Sequence, residues 1–429
     1  MKTQLLEIRS LGASGEGVGT LDGYTVFVEG ALPGERVEVE LVQSKKTYGV
    51  GRLVAVERPS ERRVKPACPV YGECGGCQLM HLSYEGQLEA KRQRVVDALE
   101  RIAGLKGIEV APCLGADEPW GYRHKIQMPV GEQLQLGLYA RGSHRLVPVD
   151  RCLIHCNQGE ELLGTIRGLL QSSGLRAYVE SSGKGTLRHL VVRTATTGEQ
   201  LVILVTTGQQ LEACRQLATQ LMERAASVRG VVACINGRRD NRILTDQWEQ
   251  LAGVGWLTER VAEMDFRISA GSFFQVFPAQ AGRLVELVEA MAGPGGGRTA
   301  LDGCCGVGLM ALALARLGWS VQGVEVSQEA IGDARWNAQA NSLHATFECQ
   351  QLEAAIADLV LLNPPRGGIE ERVLEGIQAE RIIYISCDPA TLARDIKRLS
   401  GYAVQRVQPV DLFPQTAHVE TVAILHRIF

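Results

Sequence analysis

The segment that most limits what this chain can fold into is TALDGCCGVGLMALALARLG, residues 299–318, followed by SVQGVEVS at 320–327. A short apolar run, a glycine-rich turn, a helical apolar run and a second β-rich run read as strand, turn, helix and parallel strand. The alternation extends from about residue 266 to the C-terminus, so this part predicts an open, mostly parallel α/β sheet. The turn holds Gly303, Gly306 and Gly308 after Asp302, but neither the GxGxxG spacing of a pyrophosphate cradle nor a Walker lysine. Glu325 closes the second strand about twenty residues after the turn, where a carboxylate accepts hydrogen bonds from ribose hydroxyls. Glycines in such a turn also serve close strand-to-helix packing, but the combination favours S-adenosylmethionine over a dinucleotide.

Two further strand-like runs end in residues that carry chemistry. ADLVLLNPPRGG ends in Asn363-Pro364-Pro365-Arg366, and RIIYISCDPATLARD ends in Ser386-Cys387-Asp388-Pro389. Parallel strands deliver such ends to the ligand crevice. Cys387, at a strand end before a helix start, is expected to meet amide donors that stabilise a thiolate. HVETVAILHRI places Glu420 inside an apolar run, where a lone carboxylate is costly unless paired or working, and where desolvation by Val419 and Val422 should raise its pKa. A nucleophilic cysteine and a carboxylate in an adenosylmethionine crevice suggest methylation of a carbon that is not itself nucleophilic.

Upstream, Cys68, Cys74 and Cys77 fall within CPVYGECGGCQ, bounded by Pro66, Pro69 and Gly72. Gly75 and Gly76 let the backbone wrap so that two thiolates face one centre. A fourth ligand is needed; Cys152 and Cys156, in VDRCLIHCNQ, share that polar context, whereas Cys113 does not, and Cys152 is the first choice. Without a histidine pair at finger spacing, a four-thiolate site holding zinc or an iron–sulfur cluster is the reading, against three unlinked buried thiols.

At 429 residues the chain calls for two or three domains. Residues 1–58 hold five short β-rich segments with glycine turns, as in a small Greek-key barrel of the OB type. Residues 59–265 form the cysteine loop and an α+β middle domain, and residues 266–429 the α/β domain. In YEGQLEAKRQRVVDALERIAG, Leu88, Val95, Leu99 and Ile102 share one helical stripe, with Lys91, Arg92 and Arg94 mostly off it and Gly104 as the stop. Twelve cysteines without a secretory signal imply reduced thiols, and no apolar run suits a membrane span, so a cytoplasmic location and no membrane partner are expected. A net charge of −3 does not announce a nucleic-acid binder, but local basic groups suffice to hold phosphates.

Taken together, FVEGALPGERVEVE, the cysteine loop, YRHKIQMPV, GSFFQVFPAQ, DGCCGVG, GVEVSQEA, NPPRGG, SCDPATLARD and HVET resemble the RNA uracil-C5 methyltransferases, and the resemblance runs through essentially the whole chain. It implies a TRAM-type barrel and a Rossmann-like class I methyltransferase domain. It further implies a [4Fe-4S] cluster on Cys68, Cys74, Cys77 and Cys152, with Gln275 and Glu325 contacting adenosylmethionine and Cys304 and Asn363 beside it. Cys387 would add to C6 of a flipped-out uracil and Glu420 would remove the C5 proton. RNA is the implied partner, ribosomal more than transfer RNA, with no obligate protein partner evident. This chain departs from the family pattern at Asn363, usually aspartate, at Cys304, usually aromatic, and at Phe277, usually polar. The span from Glu325 to Asn363, with the adenine-covering loop near Gln351, is also short. Asn363-Pro364-Pro365 is similar to the motif of amino-group methyltransferases, which need no cysteine and follow the prolines with an aromatic residue, where this chain has Arg366. A non-enzymatic RNA-binding protein on the same scaffold is the other alternative.

Overall fold

The five β-rich segments at the N-terminus become strands Gln4–Leu11, Gly17–Leu21, Tyr24–Val28, Arg36–Ser44 and Tyr48–Arg58, closed into a barrel, in a computed structural model that describes residues 3–428. Alternation turns Leu6, Ile8, Val26, Val28, Val37 and Val39 inward, where all are essentially fully buried; each such side chain contributes about 1.5–3 kcal/mol. Closure removes the free edges of so small a sheet. Gly19 is required by the tight interior, since a Cβ there would lie 2.6 Å from Leu6 Cγ. Glu35, wholly buried, accepts from Arg63 Nε at 2.5 Å and Nη2 at 2.7 Å. This two-pronged pair fastens the barrel to the segment leading into the cysteine loop.

The middle sheet runs Trp248–Gly253, Val228–Ile235, Gln200–Thr206, Leu187–Thr194 and Lys125–Pro129 in spatial order. Both faces are buried. Leu190, Val192, Val202 and Leu204 face the helices Asn157–Ser172 and Leu211–Arg224. Val191, Leu201, Ile203 and Val205 face the other way, into a core shared with the C-terminal sheet and with the hairpin Trp256–Val261 and Met264–Ser269. The two regions therefore have one continuous core.

The C-terminal sheet has seven strands in the order Ala345–Cys349, Ser320–Glu325, Thr299–Asp302, Leu359–Leu362, Arg381–Ser386, Glu420–Arg427 and Tyr402–Val410. The first five are mutually parallel, Glu420–Arg427 runs antiparallel to both of its neighbours, and Tyr402–Val410 at the edge shares the direction of the first five. Glu420 thus stands at the first position of its strand and not in its interior. Because that strand runs backwards, its beginning lies at the same sheet edge as the ends of its parallel neighbours.

The helix expected after the cysteine loop spans Tyr84–Ala98, capped by Ser83 Oγ accepting from the Gly86 amide, and continues as a π turn over Leu99–Ala103 that ends at Gly104 with φ of 75°. Leu99 stays buried, but the wider turn rotates Ile102 into solvent. Lys91 lies on the buried face, contrary to its expected place off the stripe, because Asp411 meets its ammonium at 2.6 Å. The helix packs on Pro389–Arg398, joining Val95, Ala98 and Leu99 to the core of the C-terminal sheet.

Candidate active site

Gln275, Cys304, Glu325, Asn363, Cys387 and Glu420 all line one cleft of about 740 Å³ at the carboxyl edge of the parallel strands. Chain reversal at this edge explains how they meet. Thr299–Asp302 ends into the glycine turn with Gly306 at φ of 53° and Gly308 at 88°. A Cβ on Gly303 would lie 2.8 Å from Leu352 Cδ2 and 2.9 Å from Leu362 Cδ2, so any larger residue there would displace the leucine tips packed against the turn.

Glu325 is fixed by backbone donors: the amides of Val326 and Ser327 donate to Oε1 at 2.8 and 3.0 Å, and that of Gly306 to Oε2 at 3.2 Å. A carboxylate so held has lone pairs left for hydroxyls of a ribose. Asp302 carries the reverse condition. It is 1 % exposed and neither carboxylate oxygen makes a hydrogen bond within the described residues. Burial pushes its carboxyl up to about 7, with the nearby Cys304 and Ala311 amides opposing and Glu325 adding to the rise. An orphaned buried carboxylate in a cleft suits a ligand that brings a cation, and the ammonium and sulfonium of S-adenosylmethionine fit that requirement. Asp302 was visible in the sequence only as the start of the turn.

Cys387 follows Arg381–Ser386, and Ser386 pairs with Thr421 in the antiparallel neighbour, so Cys387 and Glu420 occupy adjacent positions just past that pair. Of the expected amide donors, the backbone amide of Cys387 itself acts to lower its thiol, but those of the helix start are taken up elsewhere. Asp388 caps the helix Pro389–Arg398, and its Oδ1 takes the amides of Ala390 and Thr391 at 2.8 and 3.0 Å. Burial first, then the Glu420 charge, raises the Cys387 thiol above its ordinary value, while Arg366 acts to lower it. Glu420 is 3 % exposed, and burial alone pushes its carboxyl up to about 7. A carboxylate half-ionised near neutrality matches the task of a general base.

His418 lies in the same cleft. Burial and the positive charges of Arg366, Arg94 and Lys91 push its imidazole down to about 4, keeping it neutral at physiological pH. Sequence reasoning passed over it, although it stands two residues before Glu420 in HVET. Gln350, Gln351 and Leu352 also line the cleft after the strand Ala345–Cys349, so the short span still reaches the ligand space. Phe277 does not. It stacks on Tyr122 with ring centroids 5.0 Å apart, in a small cluster that includes Ile154, Cys77 and Cys152. Its polar replacement elsewhere in the family therefore bears on the cysteine region, and not on the cleft wall.

In that region Cys152 packs beside Cys77, whereas Cys156 is buried at the start of Asn157–Ser172. The Gly76 amide donates to Cys74 Sγ at 3.4 Å. Burial first, then the neighbouring thiols of Cys152, Cys74 and Cys68, push the Cys77 thiol up, and burial pushes Cys152 up to about 11. Thiols that feel one another and resist ionisation, as those of Cys74, Cys77 and Cys152 do, suit a bound cationic metal group, which would supply the missing charge. Among the described residues no three His, Cys, Asp or Glu side chains converge closely enough to hold a single metal ion.

Comparison with known proteins extends these observations. Residues 345–428 match the tRNA (Uracil-5-)-methyltransferase family, residues 1–54 the TRAM domain and residues 277–378 the methyltransferase small domain. An uncharacterized RNA methyltransferase of Halalkalibacterium halodurans is 39 % identical over 437 residues, covering 97 % of this chain and 95 % of its own. One of Listeria monocytogenes is 40 % identical over 440 residues, covering 98 % and 97 %. The crystal structure of Pyrococcus abyssi tRNA (uracil-54, C5)-methyltransferase in complex with S-adenosyl-L-homocysteine superposes with a TM-score of 0.79 at 27 % identity, covering 98 % of this chain and 100 % of that one.

Proposed function

The chain belongs to the RNA uracil-5-methyltransferase family with a TRAM domain and is an S-adenosylmethionine-dependent RNA methyltransferase, and from that footing we propose that it methylates C5 of a uridine through a covalent bond between Cys387 and C6. The observation that carries this reading is the placement of Cys387 next to Glu420 at the edge of a cleft that also holds Asp302 and Glu325. An amino-group methyltransferase would leave the first two without a task.

S-adenosylmethionine, when bound, supplies an electrophilic methyl group on a sulfonium. Asp302 would receive its positive charge and Glu325 its ribose hydroxyls, with Gln275, Cys304 and Asn363 along the wall. Cys387 releases its thiol proton to water and, as the thiolate, bonds through Sγ to C6, which pushes the electrons of the C5–C6 double bond towards C5. Once C5 carries the methyl group, Glu420 takes the remaining C5 proton; those electrons rebuild the C5–C6 double bond and Sγ departs as thiolate. Arg366 favours the thiolate in both the first and last of these steps. Asn363 lacks the charge of the usual aspartate but keeps one acceptor and one amide donor for the edge of a uracil.

The barrel offers a platform for single-stranded RNA, and the target base must leave its stack to reach Cys387. Ribosomal RNA is the first substrate class in this reading. Transfer RNA is the second, favoured by the Pyrococcus abyssi tRNA (uracil-54, C5)-methyltransferase, whose whole length matches this architecture. Mapping 5-methyluridine in total RNA from cells with and without the gene decides between them: one uridine in one class should lose its methyl group, and an unchanged map would defeat the proposal.

Cys68, Cys74, Cys77 and Cys152 would hold a [4Fe-4S] cluster, whose chemistry in this place is structural cross-linking of the loop to the middle domain. Mutual coupling of the four thiols supports the assignment. Protein purified without oxygen should be brown, with broad absorption near about 400 nm; colourless protein containing zinc would replace the cluster with a metal ion.

A further inference from the structure

The loop Asp411–Val419 joins the two antiparallel strands and leads directly into Glu420, with Phe413 and His418 in the cleft. Its own residues hold only part of its shape: the Thr416 hydroxyl and amide donate to the Phe413 carbonyl at 2.8 and 3.2 Å, and the His418 amide to Thr416 Oγ1 at 3.2 Å, but none of these bonds engages Gln415. Gln415 sits at φ of 70°, a conformation that side chains rarely adopt without outside support. That support comes from residues more than 300 positions earlier in the chain. The Gln78 and Leu79 amides donate to the Gln415 carbonyl at 3.0 and 2.9 Å. The Gln415 amide donates to Gln87 Oε1 at 2.9 Å, and Gln87 Nε2 donates to Gln415 Oε1 at 3.0 Å. The Ala417 amide donates to Gln78 Oε1 at 3.3 Å, which reaches within three residues of Glu420.

These contacts lie at the seam between two parts of the molecule. Gln78 follows Cys77 directly, and Gln87 lies on the first turn of Tyr84–Ala98. Gln87 is 1 % exposed and Gln415 3 %, so water cannot substitute for either partner. Neither glutamine lines the cleft. Lys91 and Arg94 from the same helix add bonds to the Phe413 and Ala417 carbonyls at 3.0 and 2.5 Å. The loop is thus moulded on the cysteine segment and its helix as on a template.

We propose that Gln78 and Gln87 are positioning residues of the methylation reaction, which hold the Glu420 carboxylate in register with C5 by clamping the backbone of Gln415 and Ala417. The proposal rests on the reading of Glu420 as the base. Its consequence is specific to one step. Loosening the loop should leave addition of Cys387 and methyl transfer able to proceed, while proton removal from C5 slows; the enzyme then stays bonded to methylated RNA.

The experiment uses the full-length protein, an RNA transcript with natural uridine at the mapped position, and gel detection of the denaturant-stable adduct. Gln87→Met removes, at similar volume, the two hydrogen bonds to Gln415 and a third from Gln87 Nε2 to the Leu82 carbonyl at 2.9 Å. It should slow turnover by about 10–100-fold, as expected for misplacing a catalytic group by a fraction of an ångström to an ångström, with the adduct rising to most of the active enzyme and KM for RNA little changed. Gln78→Met should act in the same direction but less, and it decides the matter if Gln87→Met does not fold. Glu420→Gln, run alongside, should also accumulate adduct. If it does and neither glutamine variant does, or if their turnover falls only in proportion to the folded fraction, the clamp is overturned. If Glu420→Gln itself accumulates none, the reading of the base fails first and takes the clamp with it.

Discussion

The cleft and the loop behind it bury polar groups in opposite ways. Asp302 and Glu420, in the cleft, are 1 % and 3 % exposed, and burial pushes both carboxyls up to about 7. Behind them Lys91, Gln87, Asp411 and Gln415 are buried as deeply, but each is hydrogen-bonded to another. Unpaired burial holds a group away from its preferred state until a ligand or a proton arrives, and it costs stability; paired burial fixes shape. The same fold therefore spends polar groups on reactivity at one side of a loop and on rigidity at the other.

That contrast predicts mutations of opposite sign. Lys91→Met strands the buried Asp411 carboxylate and should destabilise the protein by about 3–5 kcal/mol, read as a lower midpoint in urea. A change under about 1 kcal/mol would mean that the pair is not part of a rigid scaffold. Glu420→Gln should instead stabilise, by roughly 2–4 kcal/mol at pH 8. The sign follows from linkage: the folded carboxyl, near 7, holds its proton where the unfolded one, with a model value of 4.5, has lost it. Native stability therefore falls as pH rises from 4.5 to 7, and the advantage of glutamine should vanish below about pH 4.5. A variant no more stable at pH 8 than at pH 4 would show that Glu420 is not an unpaired buried acid.

A smaller effect sharpens the catalytic half of the comparison. If Glu420 must be ionised to take the C5 proton, turnover limited by that step should rise about tenfold between pH 6 and pH 8. Cys387, with its raised thiol, should add a further increase above pH 8 and no plateau in the acid range. A profile flat across this window would assign proton removal to another group.

Much of this was legible in the sequence because it depends on local pattern. Barrel strands, the glycine turn, and the strand ends at Glu325, Asn363 and Cys387 are set by periodicity and turn chemistry over a few residues. Lys91 shows the limit. A lysine beside an apolar stripe reads as solvent-facing, and only Asp411, some 320 positions away, makes its burial favourable. The same holds for Glu420, whose pattern suggested a strand interior; its place at the sheet edge follows from the reversal of its own strand, Glu420–Arg427, which is a property of topology. The Cys387 thiol was expected to be ionised by the helix start, but Asp388 had already taken those amides. His418 and Asp302 gave no pattern signal beyond adjacency to recognised motifs.

The most direct measurement uses RNA carrying 5-fluorouridine at the target position. Fluorine cannot leave C5 as a proton does, so Glu420 has nothing to remove and the bond from sulfur to C6 should persist. Digestion and mass spectrometry of the wild-type complex should then find the methylated nucleotide on the peptide that contains Cys387, and Cys387→Ala should give neither adduct nor methylated RNA. An adduct on a different cysteine, or methylation at the wild-type rate by Cys387→Ala, would contradict covalent catalysis at this residue.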